Sequence, residues 1–334
     1  MMPDATRMLR AILPALILAA GALPAAALDA TREDVRTFAE EMRRKHDIDG
    51  AWLDGVIADA ASQPRIIELM SRPAEAVMPW HEYRDHFMSA DRIAAGVEFW
   101  IEHRAGLAAI EESTGVASHV IVGILGAETF FGRITGRFRV VDALATLAFD
   151  YPPRGKYFRE ELEQFLLLAR EEELDVKTVL GSYAGAMGSA QFMPRSYRAY
   201  AVDGDGDEKK DLWGSWCDVI ASVANYLAEH GWRTDEPVVV PASLWFPRSD
   251  GLLAGPLAPD TTVKALRDRG LRFETSLGDK APAFFIRVDG DSGPELRAGF
   301  HNFGVITRYN RSILYALVVN DLGRRVESLL PPPP

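Results

Sequence analysis

Residues 119–133, HVIVGILGAETFFGR, run almost entirely apolar and place one carboxylate, Glu128, among Ile, Leu and Phe. On a helix Ile121, Leu125 and Glu128 fall at i, i+4 and i+7, so the carboxylate shares the face that the apolar residues bury. A segment this apolar needs a body large enough to enclose it. The 334 residues, 48% of them apolar, are enough for one large domain or two small ones with a sizeable core. A carboxyl group desolvated in this way keeps its proton to higher pH, the property required of a general acid working near neutrality. The competing reading is a buried Glu satisfied by an Arg or by backbone amides, and this segment alone does not decide between them.

The helical period recurs along the chain. ATREDVRTFAEEMRRKHDI opens with Thr31 three residues before Asp34, in the manner of a capping box, and puts Val35, Phe38 and Met42 on one face. SADRIAAGVEFWIEHRAGLAAIEEST starts at a Ser89 cap, and KYFREELEQFLLLAREEEL and WCDVIASVANYLAEHGW repeat the pattern, the last ending on Gly231. After Trp232, PVVVPASLWF, TTVKALRDRGLRFE and APAFFIRVDGDSGPELRAGF mix short β-rich runs with Pro, Gly and Asp. The helical pattern returns in HNFGVITRYNRSILYALVVNDL, so the β-rich part reads as an insertion into a helical body. The expected fold class is mainly α, of α+β type: a helical subdomain over 28–115, a core over 116–235 with an acidic loop at 203–218, a β-rich insertion over 236–300, a return to the core over 301–330 and a disordered proline tail over 331–334.

At the N-terminus Arg7 and Arg10 precede AILPALILAAGALPAAA, and Ala25 to Ala27 supply a small-residue cleavage site, so residues 1–27 read as a secretory signal. The alternative, a membrane anchor, has too short an uninterrupted apolar run and no charged stop-transfer flank. No Cys lies near the cleavage site to accept a lipid. The lone Cys217 has no partner for an intramolecular disulfide and reads as a small structural residue. A formal charge of −11 argues against a nucleic-acid partner while leaving room for local basic patches.

GILGAETFFGR, DALATLAFDYPPRGKYF, GSYAGAMGSAQFMPRSYRAYAVD, SVANYLAEHGW and NFGVITRYNRSILYA together resemble the lytic murein transglycosylase B family, glycoside hydrolase family 103. They occur in the family's order from about residue 80 to about residue 320. The resemblance implies a lysozyme-like helical core with accompanying α and β subdomains, acting on peptidoglycan glycan strands in the periplasm. It implies that Glu128 is a single acid and base. Glu128 would protonate the glycosidic oxygen between N-acetylmuramic acid and N-acetylglucosamine, then take the proton of the muramoyl C6 hydroxyl as that oxygen closes a 1,6-anhydro ring. No second carboxylate is needed, because substrate-assisted families are exceptions to the two-carboxylate rule. No cofactor is required for that chemistry, and cell-wall synthesis or remodelling proteins are the candidate partners.

The resemblance also places Ser182 and Gln191 beside the acid, as neutral groups for the N-acetyl function; for Ser182 a turn or cap role stays open. Tyr83, Tyr157, Tyr226, Tyr309 and Tyr315 match family tyrosines near the substrate, and Asn310 joins them. Phe192 is assigned with them, although it suits a cleft wall and a core equally. Aromatic rings serve such a cleft because the apolar face of a pyranose lies on them. Arg154 matches an arginine suited to stem or lactyl carboxylates. Pro153 stands where the family often has another arginine, which puts the strength of peptide recognition in question.

In DGDGDEKKDLWGSWCD, Asp203, Asp205 and Asp207 alternate as do positions 1, 3 and 5 of an EF-hand loop. Glu208 stands at the sixth position, where the turn wants Gly, and Gly214 at the twelfth, where a bidentate Glu belongs. By the family pattern the last carboxylate is displaced, Asp218 takes its role, and the Lys209 position offers a backbone carbonyl. The candidate ion is a structural Ca²⁺; the other reading is a solvated acidic turn. For the whole chain the alternatives to a lytic transglycosylase are a muramidase that delivers water to the same bond and a catalytically silent murein-binding scaffold.

Overall fold

The computed structural model describes residues 26–71, 78–245 and 261–332. The apolar run forms the helix Ser118–Thr129, in which ten of twelve residues are buried, and the body is built around it. Its start is capped by Glu111, whose carboxylate accepts from the Ser118 backbone N–H at 3.0 Å and the Ser118 hydroxyl at 2.5 Å. The helix Ile313–Glu327 crosses it at glycines. A Cβ on Gly123 would lie 2.0 Å from the Val319 carbonyl oxygen, and one on Gly323 1.8 Å from the His119 carbonyl oxygen. The two backbones touch there, and that contact sets the distance between the elements carrying Glu128 and Tyr315.

Ala90–Glu102 packs on both helices of this pair and Trp216–Glu229 on the first, while Val140–Phe149 and Gly155–Glu171 pack on each other within the same core. One contiguous core runs from Leu28 to Val326, so residues 28–115 share it with the rest of the helical body. The run from Ser89 is two helices, Ala90–Glu102 and Arg104–Thr114. The break falls at His103, whose ring packs on Phe99 at 4.5 Å and Trp216 at 5.7 Å. Ser89 caps as expected, accepting from the Arg92 N–H. Thr31 does not: the helix Glu33–His46 begins two residues later, and Thr31 instead donates its N–H and hydroxyl to Asp29.

Residues 236–300 hold a five-stranded antiparallel sheet, in the order Thr261–Thr262, Pro282–Gly290, Gly293–Gly299, Val239–Leu244, Leu271–Arg272. The side chains of AFFIRV alternate between two cores. Phe284, Ile286 and Val288 enter the main core, while Ala283 and Phe285 join a second one with Phe273 and Phe300. Arg297 clamps the sheet to the crossing helix through two hydrogen bonds to Asp321, at 2.9 and 2.8 Å.

Of the expected signal segment, residues 1–25 lie outside the described residues, and Ala26–Ala27 pair antiparallel with Ala61–Ser62. Edge pairing thus draws the last two residues of that segment into the body. Pro331, expected in a disordered tail, accepts a hydrogen bond from Arg104 at 3.2 Å. Among the described residues no single helix is long and apolar enough to cross a membrane.

Candidate active site

Three segments converge on Glu128. The first is its own helix, which ends one residue later in a run of left-handed residues, Phe130 (φ 51°), Phe131 (φ 55°) and Gly132 (φ 78°). Non-glycine residues in that region cost roughly 1 kcal/mol or more each, so packing must impose the stop. Phe131 is buried on Phe99, with ring centroids 5.2 Å apart, and Phe130 lies between the guanidinium groups of Arg92 at 4.8 Å and Arg133 at 4.9 Å. The Thr129 hydroxyl accepts from Gly132 N–H and donates to the Ser189 carbonyl, both at 3.0 Å. Glu128 therefore stands in a last helical turn, half-buried, lining an open cleft of about 550 Å³.

The second segment is the glycine-rich loop carrying Ser182 and Gln191, both of which line the same cleft. Ser182 Oγ accepts from the backbone N–H groups of Ala184 (3.2 Å) and Ala186 (3.1 Å). It is thus the turn residue that stayed open in the sequence, and the hydroxyl proton is left to be donated elsewhere. Gln191 sits at φ 51°, another left-handed non-glycine residue at the site. Its amide nitrogen donates to the carbonyls of Thr135 (3.0 Å) and Gly188 (2.9 Å), which fixes the plane of the amide and leaves its carbonyl oxygen as acceptor.

The third is the junction of His301–Tyr309 and Ile313–Glu327. Tyr315 donates its hydroxyl to Glu128 Oε1 at 2.7 Å. Tyr309 donates to the Ala190 carbonyl at 2.6 Å. Burial, and after it the charge of Glu128, raises both phenols well above their usual range, so each keeps its proton and Tyr315 acts as donor.

Of the remaining aromatic candidates, Phe192, Tyr226 and Tyr83 are buried behind the cleft wall. Phe192 is only 2% exposed and packs on Tyr226 (5.6 Å) and Tyr309 (5.7 Å), so its expected contact with sugar is corrected to a supporting one. Tyr226 is buried, stacked on His230 at 4.1 Å and donating to the Arg308 carbonyl; Tyr83 is buried on Phe87 at 5.0 Å and close enough to Tyr315 to affect its phenol. Both stand in a second layer. Arg154 stacks on half-buried Tyr157 at 4.6 Å, and Tyr157 is near enough to Tyr226 to affect its phenol; neither is among the residues lining the Glu128 cleft, and Asn310 ends the helix carrying Tyr309. Arg133, Ile134, Arg137 and Tyr183 line the cleft and went unread in the sequence, although GRITGR begins at Gly132, shortly after Glu128.

In the acidic loop, ligand oxygens of Asp203, Asp205 and Asp218 lie within 4.8 Å of one another. The Glu208 objection falls away, because Glu208 itself takes φ 70° and makes the turn. Asp218 is fully buried and accepts from the N–H groups of Gly204 and Asp211, each at 2.7 Å. The Asp207 carboxylate stands outside this group, exposed and accepting from the Lys209 N–H at 2.9 Å. Three carboxylates with no nitrogen or sulfur donor form a set suited to a hard cation such as Ca²⁺.

A larger cavity, about 720 Å³, lies between Glu111–Gly115, Trp232–Val238 and the end of the crossing helix. It holds none of the groups that meet at Glu128. Its histidine, His119, is driven down to about 3 by burial and then by Arg324, and so stays neutral. The groups suited to acid–base chemistry meet instead at the smaller cleft.

A family model described as Transglycosylase SLT domain matches residues 30–324. Membrane-bound lytic murein transglycosylase B of Escherichia coli (strain K12) is 39% identical over 306 residues, covering 89% of this chain and 83% of that protein. The crystal structure of soluble lytic transglycosylase SltB1 from Pseudomonas aeruginosa superposes with a TM-score of 0.83 at 46% identity, over 87% of this chain and 97% of that one. The Escherichia coli lytic transglycosylase Slt35 in complex with calcium gives 0.83 at 38% identity, over 91% of this chain and 96% of that one.

Proposed function

The chain belongs to the Transglycosylase SLT domain family and is a lytic murein transglycosylase with a lysozyme-like fold, and from that premise we propose that Glu128 is its one acid and base. The observation that carries this is a half-buried carboxyl held at one oxygen by the Tyr315 hydroxyl, in a cleft shared with Ser182 and Gln191. Glu128 gives its proton to the oxygen leaving muramoyl C1. The C1–O bond breaks, with the muramoyl N-acetyl group assisting at C1. Ser182, its Oγ already loaded by two backbone donors, directs its proton to the N-acetyl carbonyl, and the Gln191 carbonyl accepts from the sugar. Glu128, now ionised, takes the C6 hydroxyl proton as O6 bonds to C1. The proton count closes with no water consumed. We place the enzyme in the periplasm after export. The products test this reading: digested sacculi should release muropeptides lighter by one water than reducing ends, and release of reducing muramic acid alone would return the enzyme to the muramidases.

We also propose that Asp203, Asp205 and Asp218 hold a structural Ca²⁺, supported by their convergence and by the calcium complex of Slt35. The ion supplies positive charge that relieves carboxylate repulsion and braces the loop before Trp216–Glu229. Calcium at a hundredfold excess over its dissociation constant stabilises by about 2.7 kcal/mol, or about 4 °C in melting temperature for a chain this long. Chelation should remove that increment from the native protein and not from Asp218→Asn. A melting curve indifferent to chelator and to added Ca²⁺ would leave the solvated acidic turn as the reading.

A further inference from the structure

Behind the Glu128 cleft lies a buried cation that no carboxylate neutralises. Arg92 is 8% exposed and makes no ion pair among the described residues. Its Nη1 donates to the His86 carbonyl at 2.8 Å, and its Nε meets no acceptor. Taking a guanidinium out of water without an anion is unfavourable, so burial pulls its pKa below the usual arginine range. Two rings offset part of that cost: the guanidinium carbon lies over Phe87 at 4.9 Å and over Phe130 at 4.8 Å from the centroids. A Met or Leu would fill the same space with no charge to desolvate. Local departures of this kind concentrate where function requires them.

The two rings lead by different routes to the two partners of one hydrogen bond. Phe130 is the left-handed residue at which the helix Ser118–Thr129 stops, two positions beyond Glu128. Phe87 packs on Tyr83 at 5.0 Å, and Tyr83 stands close enough to Tyr315 to act on its phenol. Tyr315 donates to Glu128 Oε1 at 2.7 Å, which closes the circuit. The helix that carries Arg92, Ala90–Glu102, packs on both of the helices that bear this pair. One turn beyond Arg92, a Cβ on Gly96 would lie 2.6 Å from Val326 and 3.0 Å from Phe131, so the backbone there sits close against both sides of the circuit.

We propose that Arg92 is a positioning residue for the reaction: by clamping Phe130 and Phe87 from behind, it holds the Glu128 carboxyl where the Tyr315 hydroxyl orients it. Arg92 itself touches neither the substrate nor the bond that breaks. The inference rests on Glu128 as the acid of this cleft and on Tyr315 as its orienting donor. A planar guanidinium covers two rings where an ammonium is a point charge, so Lys at this position should serve only in part.

The test is a double-mutant cycle on the full chain, read as kcat and KM on soluble glycan strands, with melting temperatures alongside. Arg92→Met keeps the bulk and deletes the charge, so it should melt at or above the wild type. Its kcat should nevertheless fall roughly fivefold with KM nearly unchanged, a loss within that of the hydrogen bond it supports. In a Tyr315→Phe background the same substitution should cost less than about twofold, because that hydrogen bond is already gone. Arg92→Lys should lie between the wild type and Arg92→Met. Phe87→Leu opens the circuit on its other side and should repeat the pattern, including its dependence on Tyr315, which decides the matter if Arg92→Met does not fold. A residue that only stabilises would show the reverse, a lower melting temperature with kcat kept. That result, equal losses in both backgrounds, or full kcat in Arg92→Met beside an impaired Tyr315→Phe overturns the inference and leaves Glu128 its role. Wild-type turnover in Glu128→Gln would instead remove the acid, and this inference with it.

Discussion

Glu128→Gln should lower the turnover of murein at least about a thousandfold, because one residue supplies both proton transfers and general acid–base catalysis alone contributes roughly 10²–10⁴-fold. The substitution keeps the shape and keeps an acceptor for the Tyr315 hydroxyl, so the cleft and the melting temperature should survive it. Loss confined to kcat with KM nearly unchanged is the mark of a group that acts in the transition state. Tyr315→Phe supplies the comparison. It leaves the acid in place and removes the donor that orients it, so its loss should be smaller, roughly tenfold, about the value of one charge-assisted hydrogen bond. Turbidity clearing of sacculi, with quantified anhydro ends, measures both variants. If Glu128→Gln kept even a few per cent of wild-type turnover, another group would have to be the acid. If both variants and the wild type were equally inert, the silent scaffold would be the better description.

The apolar run made the half-buried setting of Glu128 legible, because a helical period of 3.6 residues puts Ile121, Leu125 and Glu128 on one side whatever surrounds them. The sheet was legible for a similar reason: AFFIRV is β-branched and aromatic, and both of its faces proved to be covered. What escaped depended on contacts distant in sequence. Nothing in ETFFG says that a helix stops before its glycine; the two left-handed phenylalanines are held by Phe99, Arg92 and Arg133. The break at His103 is likewise a response to Trp216, over a hundred residues away. Tyrosines are read from sequence as contacts because they carry both a ring and a hydroxyl, yet Tyr226 spends both inside the wall and Tyr83 buries its ring there. Arg133 and Arg137 were passed over because an arginine after a catalytic segment looks like any solvated cation until the fold shows which cavity it lines. In the acidic loop, spacing brought out Asp203 and Asp205, whose oxygens converge, but not that Asp207 turns to the Lys209 N–H, since alternate residues of a turn share no fixed face.

Gly123→Ala should damage both fold and catalysis out of proportion to its one added methyl group. In an exposed helix the same exchange stabilises, by up to about 1 kcal/mol, because Ala has less backbone freedom to lose. At Gly123 the new Cβ would stand 2.0 Å from the Val319 carbonyl oxygen and 2.9 Å from its carbon, atoms of a neighbouring backbone that no rotamer change can move aside. The helices Ser118–Thr129 and Ile313–Glu327 must part by roughly 1 Å or more, opening the best-packed part of the core, at a cost of about 3 kcal/mol. That corresponds to a fall of about 5 °C in melting temperature. The Glu128–Tyr315 hydrogen bond spans the same two helices, so turnover should also fall, by roughly tenfold, at temperatures where the variant is still folded. Gly106→Ala is the control: it lies in the exposed face of Arg104–Thr114 with nothing within 4 Å of its Cβ position, and should melt at or above the wild type with full activity. Equal melting temperatures for the two alanine variants would mean that the helices do not meet at Gly123, and the distance from Glu128 to its orienting phenol would lose its physical basis.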